Sequence, residues 1–330
     1  MTALTPETAE PSAEHVAAAR AVLDELGLTE SPAPRMRPVS GHSSSVLIPC
    51  DGVDGRPFLL KYFIPPTDGR FYPPEIRLAD YARREGAFYR FLDSADPGRT
   101  LLPAPKTILI DSKDPPRWIL LQRIAWAVGP REEVLAMDHV FELLERLRGI
   151  PLEMLLGRRH FPLNHWDAVS YIERARLMYD PVLYVIGESR WNRVQEFFQE
   201  ALRWLESRKP VVVHGDFTEQ NILVDEEGHP YLVDFERVGI GNADHDFAWF
   251  WIHTSRPQVW KRRLVERYFE DRVGSERIRS EWGIRAALVY LGLRRLRFGY
   301  LTQGEEDAQR GPNLALLDAA LRGGSDLFPA

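Results

Sequence analysis

Three polar residues in the stretch VVVHGDFTEQNILVDEEGHPYLVDFE, residues 211–236, have the types and order needed for phosphoryl transfer with magnesium: Asp216, Asn221 and Asp234. Mg2+ takes hard oxygen ligands and uses one or two carboxylates, with phosphate and water completing its octahedron. Asp234 can supply a carboxylate and Asn221 an amide oxygen. Asp216 is then left to orient an acceptor hydroxyl and take its proton. A catalytic-loop Asp, an Asn a few residues on and a later metal-binding Asp divide the work in this way in phosphoryl transfer. Taken singly, Asp216 could cap a turn and Asp234 could end a strand. The three together carry the reading.

Short apolar runs must hold them. Val211–Val213 and Ile222–Val224 flank the polar loop, and Tyr231–Val233 follows a turn at Asp225–Gly228. β-Branched runs separated by a Glu-Glu-Gly signal predict a hairpin. The loop His214–Asn221 then enters one strand, Asp234 sits just past the next, and the three polar side chains gather at one end of a small sheet.

Upstream, Phe58–Phe63 is an apolar strand interrupted by Lys61. A buried lysine is costly unless paired. Lys61 therefore reads either as an outward-facing strand residue or as a group that reaches the α/β-phosphates of a nucleotide. Ahead of it, Val39–Ile48 reads as strand, turn, strand, with Gly41 and three serines between. Successive amides and hydroxyls there, Ser43 and Ser44 included, could cradle phosphate oxygens, although such a turn is also just a turn. The acidic partner such a lysine needs would lie on the next helix. That helix is predicted over 78–92, and Glu85 is its candidate acid.

His214-Gly215-Asp216 with Asn221, then Asp234-Phe235-Glu236, resembles the aminoglycoside phosphotransferase and choline kinase superfamily. Protein kinases carry Arg where Gly215 stands and Gly where Glu236 stands, so the resemblance is to the small-molecule branch. It extends over roughly residues 39–250. It implies an α+β, two-lobed, protein-kinase-like fold: a small antiparallel-sheet N-terminal lobe (1–124, with a leading helix) and a mostly helical C-terminal lobe (125–330). By the same resemblance the Ser/Gly turn is the nucleotide loop, YARREGAFYRFL places Glu85 as the Lys61 partner, and Asp246 in GNADHDFAW braces the catalytic loop. The segment Gln122-Arg123-Ile124 joins the lobes, with the Gln122 carbonyl and Ile124 amide facing a purine and Leu121 behind it. The implied cofactors are ATP, with GTP equally compatible, and Mg2+.

Composition sets the outer limits. At 330 residues, 44% apolar and 27% charged, the chain is an ordinary soluble type with room for two lobes. A net charge of −6 gives no reason to expect nucleic acid or an anionic membrane as partner. The single cysteine, Cys50, rules out an internal disulfide and a cysteine-based zinc site. The N-terminus has no basic, then apolar, leader pattern, and no run reaches the length of a membrane span. The expected setting is cytoplasmic, and the expected state a monomer or homodimer.

Further helices are predicted over 12–28, 138–148, 165–178, 188–207 and 312–328. Residues 256–300 carry twelve Lys or Arg against five acids. Polyamine antibiotics call for acidic surroundings, so this segment argues against an aminoglycoside acceptor. The aromatic group Trp249, Phe250, Trp251 and Trp260 reads first as core and second as a platform for a macrolide or sugar. The expected reaction is γ-phosphoryl transfer to a hydroxyl of a small molecule, possible roles including antibiotic inactivation. The alternatives are a metabolic kinase for a sugar, choline or homoserine, and a non-catalytic nucleotide-binding module.

Overall fold

The structure, a computed structural model, describes residues 12–31, 45–64, 79–127, 131–157, 161–303 and 310–324. The first lobe contains helix α1 (Ala13–Leu26), strands β1 (Thr29–Glu30), β2 (Ser45–Asp51) and β3 (Pro57–Phe63), helix α2 (Ala79–Ala95), and strands β4 (Thr107–Ile110) and β5 (Trp118–Gln122). The strands form one antiparallel sheet in the order β1-β2-β3-β5-β4.

Both faces of this sheet are covered. Ala19, Val22 and Leu23 of α1 pack with Val46, Ile48, Cys50, Phe58, Leu60, Trp118 and Leu120 on one face. Phe63, Ile119 and Leu121 face the other way, into the main core with Phe88, Phe91 and Leu92 of α2. A strand buried on both sides reads as a continuous apolar run. That is why alternation along Phe58–Phe63 could not say where Lys61 points. Cys50 is fully buried, and burial pushes its thiol up to about 11, so it serves as packing.

The second lobe is mostly helical. It contains α3 (Arg131–Val134), α4 (Met137–Arg148), α5 (Leu152–Leu156), α6 (Ala168–Leu177) and α7 (Tyr179–Leu205), then α8 (His245–His253), α9 (Gln258–Phe269), α10 (Gly274–Gln303) and α11 (Arg310–Arg322). Between them lie β6 (Asn164–Trp166), β7 (Val211–Val213), β8 (Ile222–Val224), β9 (Pro230–Leu232) and β10 (Gly239–Gly241). α7 is two helices joined at a kink on Gly187, which accounts for a predicted helix that begins only at 188.

Val211–Val213 does not belong to the hairpin that follows it. β8 and β9 pair with each other alone, whereas β7 joins β10 and β6 in a separate three-stranded sheet. β6 and β10 were not predicted, because three residues rich in glycine or polar groups give no strand signal. Their pairing is set by packing instead. β10 lies so close to β6 that a Cβ on Gly239 would fall 2.2 Å from the Asn164 carbonyl oxygen.

The main core passes from the first lobe into the second without a break. Phe235 is its bridge: its ring centre lies 4.7 Å from Phe88 and 5.4 Å from Tyr89 on α2, and 5.3 Å from His214. Trp249 and Phe250 of α8 are buried in the same core, as are Ile284, Leu288 and Leu296 of α10. The aromatic group of α8 is therefore core, the first of its two readings.

Candidate active site

The polar loop leaves β7 at His214. Two backbone amides there, those of His214 and Gly215, donate to Oδ2 and Oδ1 of Asp246 at 2.8 and 2.9 Å. Asp246 sits in the first turn of α8, and the helix fixes its carboxylate under the loop. Burial raises its pKa, opposed by His214 and by these two amides. His214 is fully buried. Its Nδ1 accepts from the Asp216 amide at 3.3 Å, and its Nε2 lies 3.0 Å from the Val233 carbonyl. This pattern puts the imidazole proton on Nε2 and ties the loop to the strand end beside Asp234.

Gly215 has φ +79°, a left-handed conformation. A Cβ there would fall 2.5 Å from the Arg237 carbonyl oxygen and 2.7 Å from the Trp166 ring. Both the backbone and its neighbours exclude a side chain. Asp216 follows, with its side chain partly open to solvent at 23%.

A short 3-10 turn, Glu219–Asn221, leads into β8. Asn221 Nδ2 donates to the Asp216 carbonyl at 2.8 Å and lies 3.3 Å from Asp216 Oδ2. The amide nitrogen is thus committed to the loop, leaving the amide oxygen as its remaining acceptor. The Asn221 carbonyl accepts from Val233 N at 3.0 Å, which locks the loop against the chain entering Asp234.

Asp234 adopts φ 69°, ψ 63°, a left-handed conformation that is uncommon outside glycine. Its Oδ1 lies 2.6 Å from Lys61 Nζ, and the same nitrogen lies 2.6 Å from Glu85 Oε2 of α2. Lys61 and Glu85 are buried, at 5% and 0% exposure. Burial opposes the lysine charge, but the fields of Asp234, Glu85 and Glu236 outweigh it and hold the pKa well above its usual value. The two carboxylates share one cation unequally. Burial pushes Glu85 up to about 7. Asp234 stays below its usual range despite burial, because Lys61, His214 and Arg237 favour its ionised form.

The structure thus brings Asp216, Asn221, Asp234, Lys61 and Glu85 to one place. Ser43 and Ser44 lie outside the described residues. Gln122 ends β5 and its amide donates to the Lys106 carbonyl at 2.8 Å. Ile124 lies two residues on, in the segment that reaches Trp126, itself bridged to Asp225 just past β8. Leu121 is buried in the main core.

Two residues at the site carried no signal in the sequence. Arg237 Nη1 lies 3.7 Å from Asp216 Oδ1, and its Nε lies 3.8 Å from Glu236 Oε1. An arginine next to acidic residues reads as a solvated charge, and only the turn Phe235–Arg237 aims it back at the loop. Trp166 donates Nε1–H to the Arg237 carbonyl at 3.0 Å and covers Gly215.

Among curated proteins none matches this sequence. Three of the solved structures that share its fold serve as examples. One is APH(2")-IIa in complex with gentamicin: 13% identity, 97% of this chain and 99% of that chain covered, TM-score 0.60. A second is a point mutant of aminoglycoside 2'-phosphotransferase-IIIa in complex with GDP: 14% identity, 93% and 99% covered, TM-score 0.57. A third is a thermostable mutant of aminoglycoside phosphotransferase APH(4)-Ia in a ternary complex with ADP and hygromycin B: 16% identity, 92% and 97% covered, TM-score 0.52. At these identities the likeness establishes the fold. The sequence profile of the phosphotransferase enzyme family matches residues 62–282, which includes Lys61's neighbour Tyr62 at one end and every loop residue described above. The chain belongs to the phosphotransferase enzyme family.

Proposed function

We propose that this phosphotransferase moves the γ-phosphoryl group of a purine nucleotide, ATP or GTP, to a hydroxyl of a small molecule. The observation that carries this reading is the single constellation of Asp216 and Asn221 on one loop, facing a buried Lys61–Glu85–Asp234 cluster from the other lobe and the following turn. The nucleotide lies between the lobes, which divide at residues 124 and 125. Its adenine or guanine rests on the backbone of Gln122 and Ile124, and Ser43 and Ser44 belong to the phosphate loop.

The donor set suits magnesium. The oxygen of the Asn221 amide is left over once its nitrogen is committed to the loop, and the Asp234 carboxylate is held ionised; both are hard oxygen donors. Asn221 and Asp234 would hold the ion, which when bound neutralises charge on the transferring phosphates.

The chain's own residues do the rest. Lys61, oriented by Glu85, grips the α/β-phosphates. Asp216 accepts the hydroxyl proton of the acceptor while the oxygen–phosphorus bond forms and the bond to the nucleoside diphosphate breaks. Asp246 and His214 keep that carboxylate in register through the loop backbone. Positioning of this kind accounts for most of phosphoryl-transfer catalysis.

The test is mass spectrometry of acceptors after incubation with Mg-ATP or Mg-GTP. The pools are aminoglycosides, macrolides, sugars and amino alcohols, and hydroxy acids, with Asp216→Asn as the blank. A gain of one phosphate that is absent from the blank supports the reading. A protein that fails to bind either nucleotide sinks it in favour of a non-catalytic module.

A further inference from the structure

The groups on the helical side of Asp216 are mostly cationic. Arg237 Nη1 is 3.7 Å from the Asp216 carboxylate. Its guanidinium carbon lies 5.7 Å from the centre of the Trp249 ring, and that of Arg294 on α10 lies 4.9 Å from the same ring. Arg295 is the next residue of α10. Lys261 of α9 lies 5.6 Å from the ring of Trp251, two residues further along α8. Arg174 of α6 stands 4.2 Å over Trp166, the ring that covers Gly215. Four separate elements thus bring positive charge to one side of the loop.

Arg294 and Arg295 feel other cations more than any acid. Burial lowers the pKa of Arg294, and Arg237 lowers it further. Burial and then Arg294 lower that of Arg295. His245 and His253 of α8 are kept neutral by burial and by the surrounding arginines, His253 down to about 3. The carboxylates facing the group are Asp216, Asp234, Glu236 and Glu219. Glu236 lies 3.8 Å from Arg237, and Glu219 is already held by Arg256 and Thr254. Among the described residues neither Arg294 nor Arg295 has a carboxylate within ion-pair distance.

A guanidinium drawn from water without a counter-ion is unfavourable. An aromatic face offsets part of that cost. A carboxylate or phosphate accepting two N–H bonds offsets more. The same field repels a polycation. Lys61, on the opposite lobe, already faces the nucleotide side, so Arg294 of α10 is placed for the other substrate.

We propose that the acceptor is a hydroxyl compound bearing its own carboxylate or phosphate, docked by Arg294 with its hydroxyl at Asp216. This rests on the phosphotransferase reading above and adds the charge of the acceptor.

The test measures transfer from Mg-ATP and Mg-GTP to four sets of probes. Glycerate and gluconate supply a carboxylate, glycerol 3-phosphate and glucose 6-phosphate supply a phosphate, glycerol and glucose are neutral, and kanamycin is a polycation. Transfer is expected to one of the two anionic sets, and which one names the anion. Arg294→Gln should raise the acceptor KM roughly tenfold or more, with the nucleotide KM within about twofold. Arg294→Lys should recover part of the loss. Preferred transfer to a neutral or cationic probe overturns the proposal and leaves the phosphotransferase reading standing. So does a nucleotide KM that rises together with the acceptor KM, or transfer to neither anionic set while Mg-nucleotide still binds. Failure of the wild-type protein to bind either nucleotide would instead remove the reading on which the proposal rests.

Discussion

The indole of Trp166 lies in the space into which a side chain at residue 215 would project, and it is pinned there by its hydrogen bond to the Arg237 carbonyl. Gly215 is therefore fixed twice, by its left-handed backbone and by its neighbour. Gly215→Ala is expected to cost about 2–4 kcal/mol and to depress turnover, read by thermal unfolding and by steady-state kinetics. Adding Trp166→Ala should not restore the loss, because the Arg237 carbonyl oxygen remains 2.5 Å from the new Cβ. Full recovery in the double variant would show that the indole alone excludes the side chain.

Asp216→Asn should separate binding from chemistry. Asn221 bonds chiefly to the backbone carbonyl of residue 216, so the loop keeps its shape. Turnover is expected to fall by about 10²–10⁴, with Mg-nucleotide affinity by calorimetry nearly unchanged. Asp234→Ala should do the reverse and abolish Mg-nucleotide binding. Normal turnover in Asp216→Asn would contradict the role given to that carboxylate.

Lys61→Met leaves Glu85 and Asp234 facing each other without their shared cation. Removing one partner of a buried charge cluster costs about 3–5 kcal/mol, and denaturant unfolding should show a loss of that order at pH 8. A much smaller loss is expected at pH 5, where Glu85 is protonated. Equal losses at both pH values would argue against a carboxylate of raised pKa beside Lys61.

Glu85 also sets a pH dependence of stability. Its pKa rises from an ordinary 4.5 to about 7 on folding. The native state therefore binds the extra proton between those values, and stability present below about pH 4.5 is lost as pH rises through 7. The expected decline is on the order of 1–3 kcal/mol. Asp234, with a lowered pKa, contributes in the opposite sense and loses its share only as pH falls through the acid range. Urea titrations of Glu85→Gln between pH 5 and 8 should lack the decline seen in wild type.

Asp246→Ala leaves two buried amides, those of His214 and Gly215, without acceptors. Each costs about 1–3 kcal/mol. The melting temperature and turnover should fall together, because the same two bonds hold the loop that carries Asp216.

Much of the candidate site's assembly could be read from the sequence because its residues lie close together along the chain and differ in type. Asp216, Asn221 and Asp234 fall within one stretch whose flanking strands have β-branched signals, and those strands form at 211–213, 222–224 and 230–232. Sheet membership could not be read: β7 pairs with a glycine-bearing strand that closeness to Asn164 creates, not propensity. Arg237 was missed for a similar reason. Its proximity to Asp216 depends on a turn at Phe235–Arg237 and on a residue at φ 69°, neither of which a charge pattern reveals. Composition did register the basic character of residues 256–300. Only the packing of α10 against α8 shows that one of those arginines, Arg294, lies over Trp249 beside Arg237 and does not simply face water.

The unbroken apolar path through Phe88, Phe235 and Phe247 leaves no seam along which the chain could be cut. A fragment ending at the last strand of the sheet would expose Phe88, Phe91, Ile119 and Leu121 to water, and a fragment beginning after it would expose Phe235. The two lobes should accordingly melt in a single cooperative transition. Among the described elements, α1, which covers the opposite face of the sheet with its own small cluster, is the one expected to detach first. The cleft proposed for catalysis is thus built across a single folding unit, and its two halves must be gained or lost together.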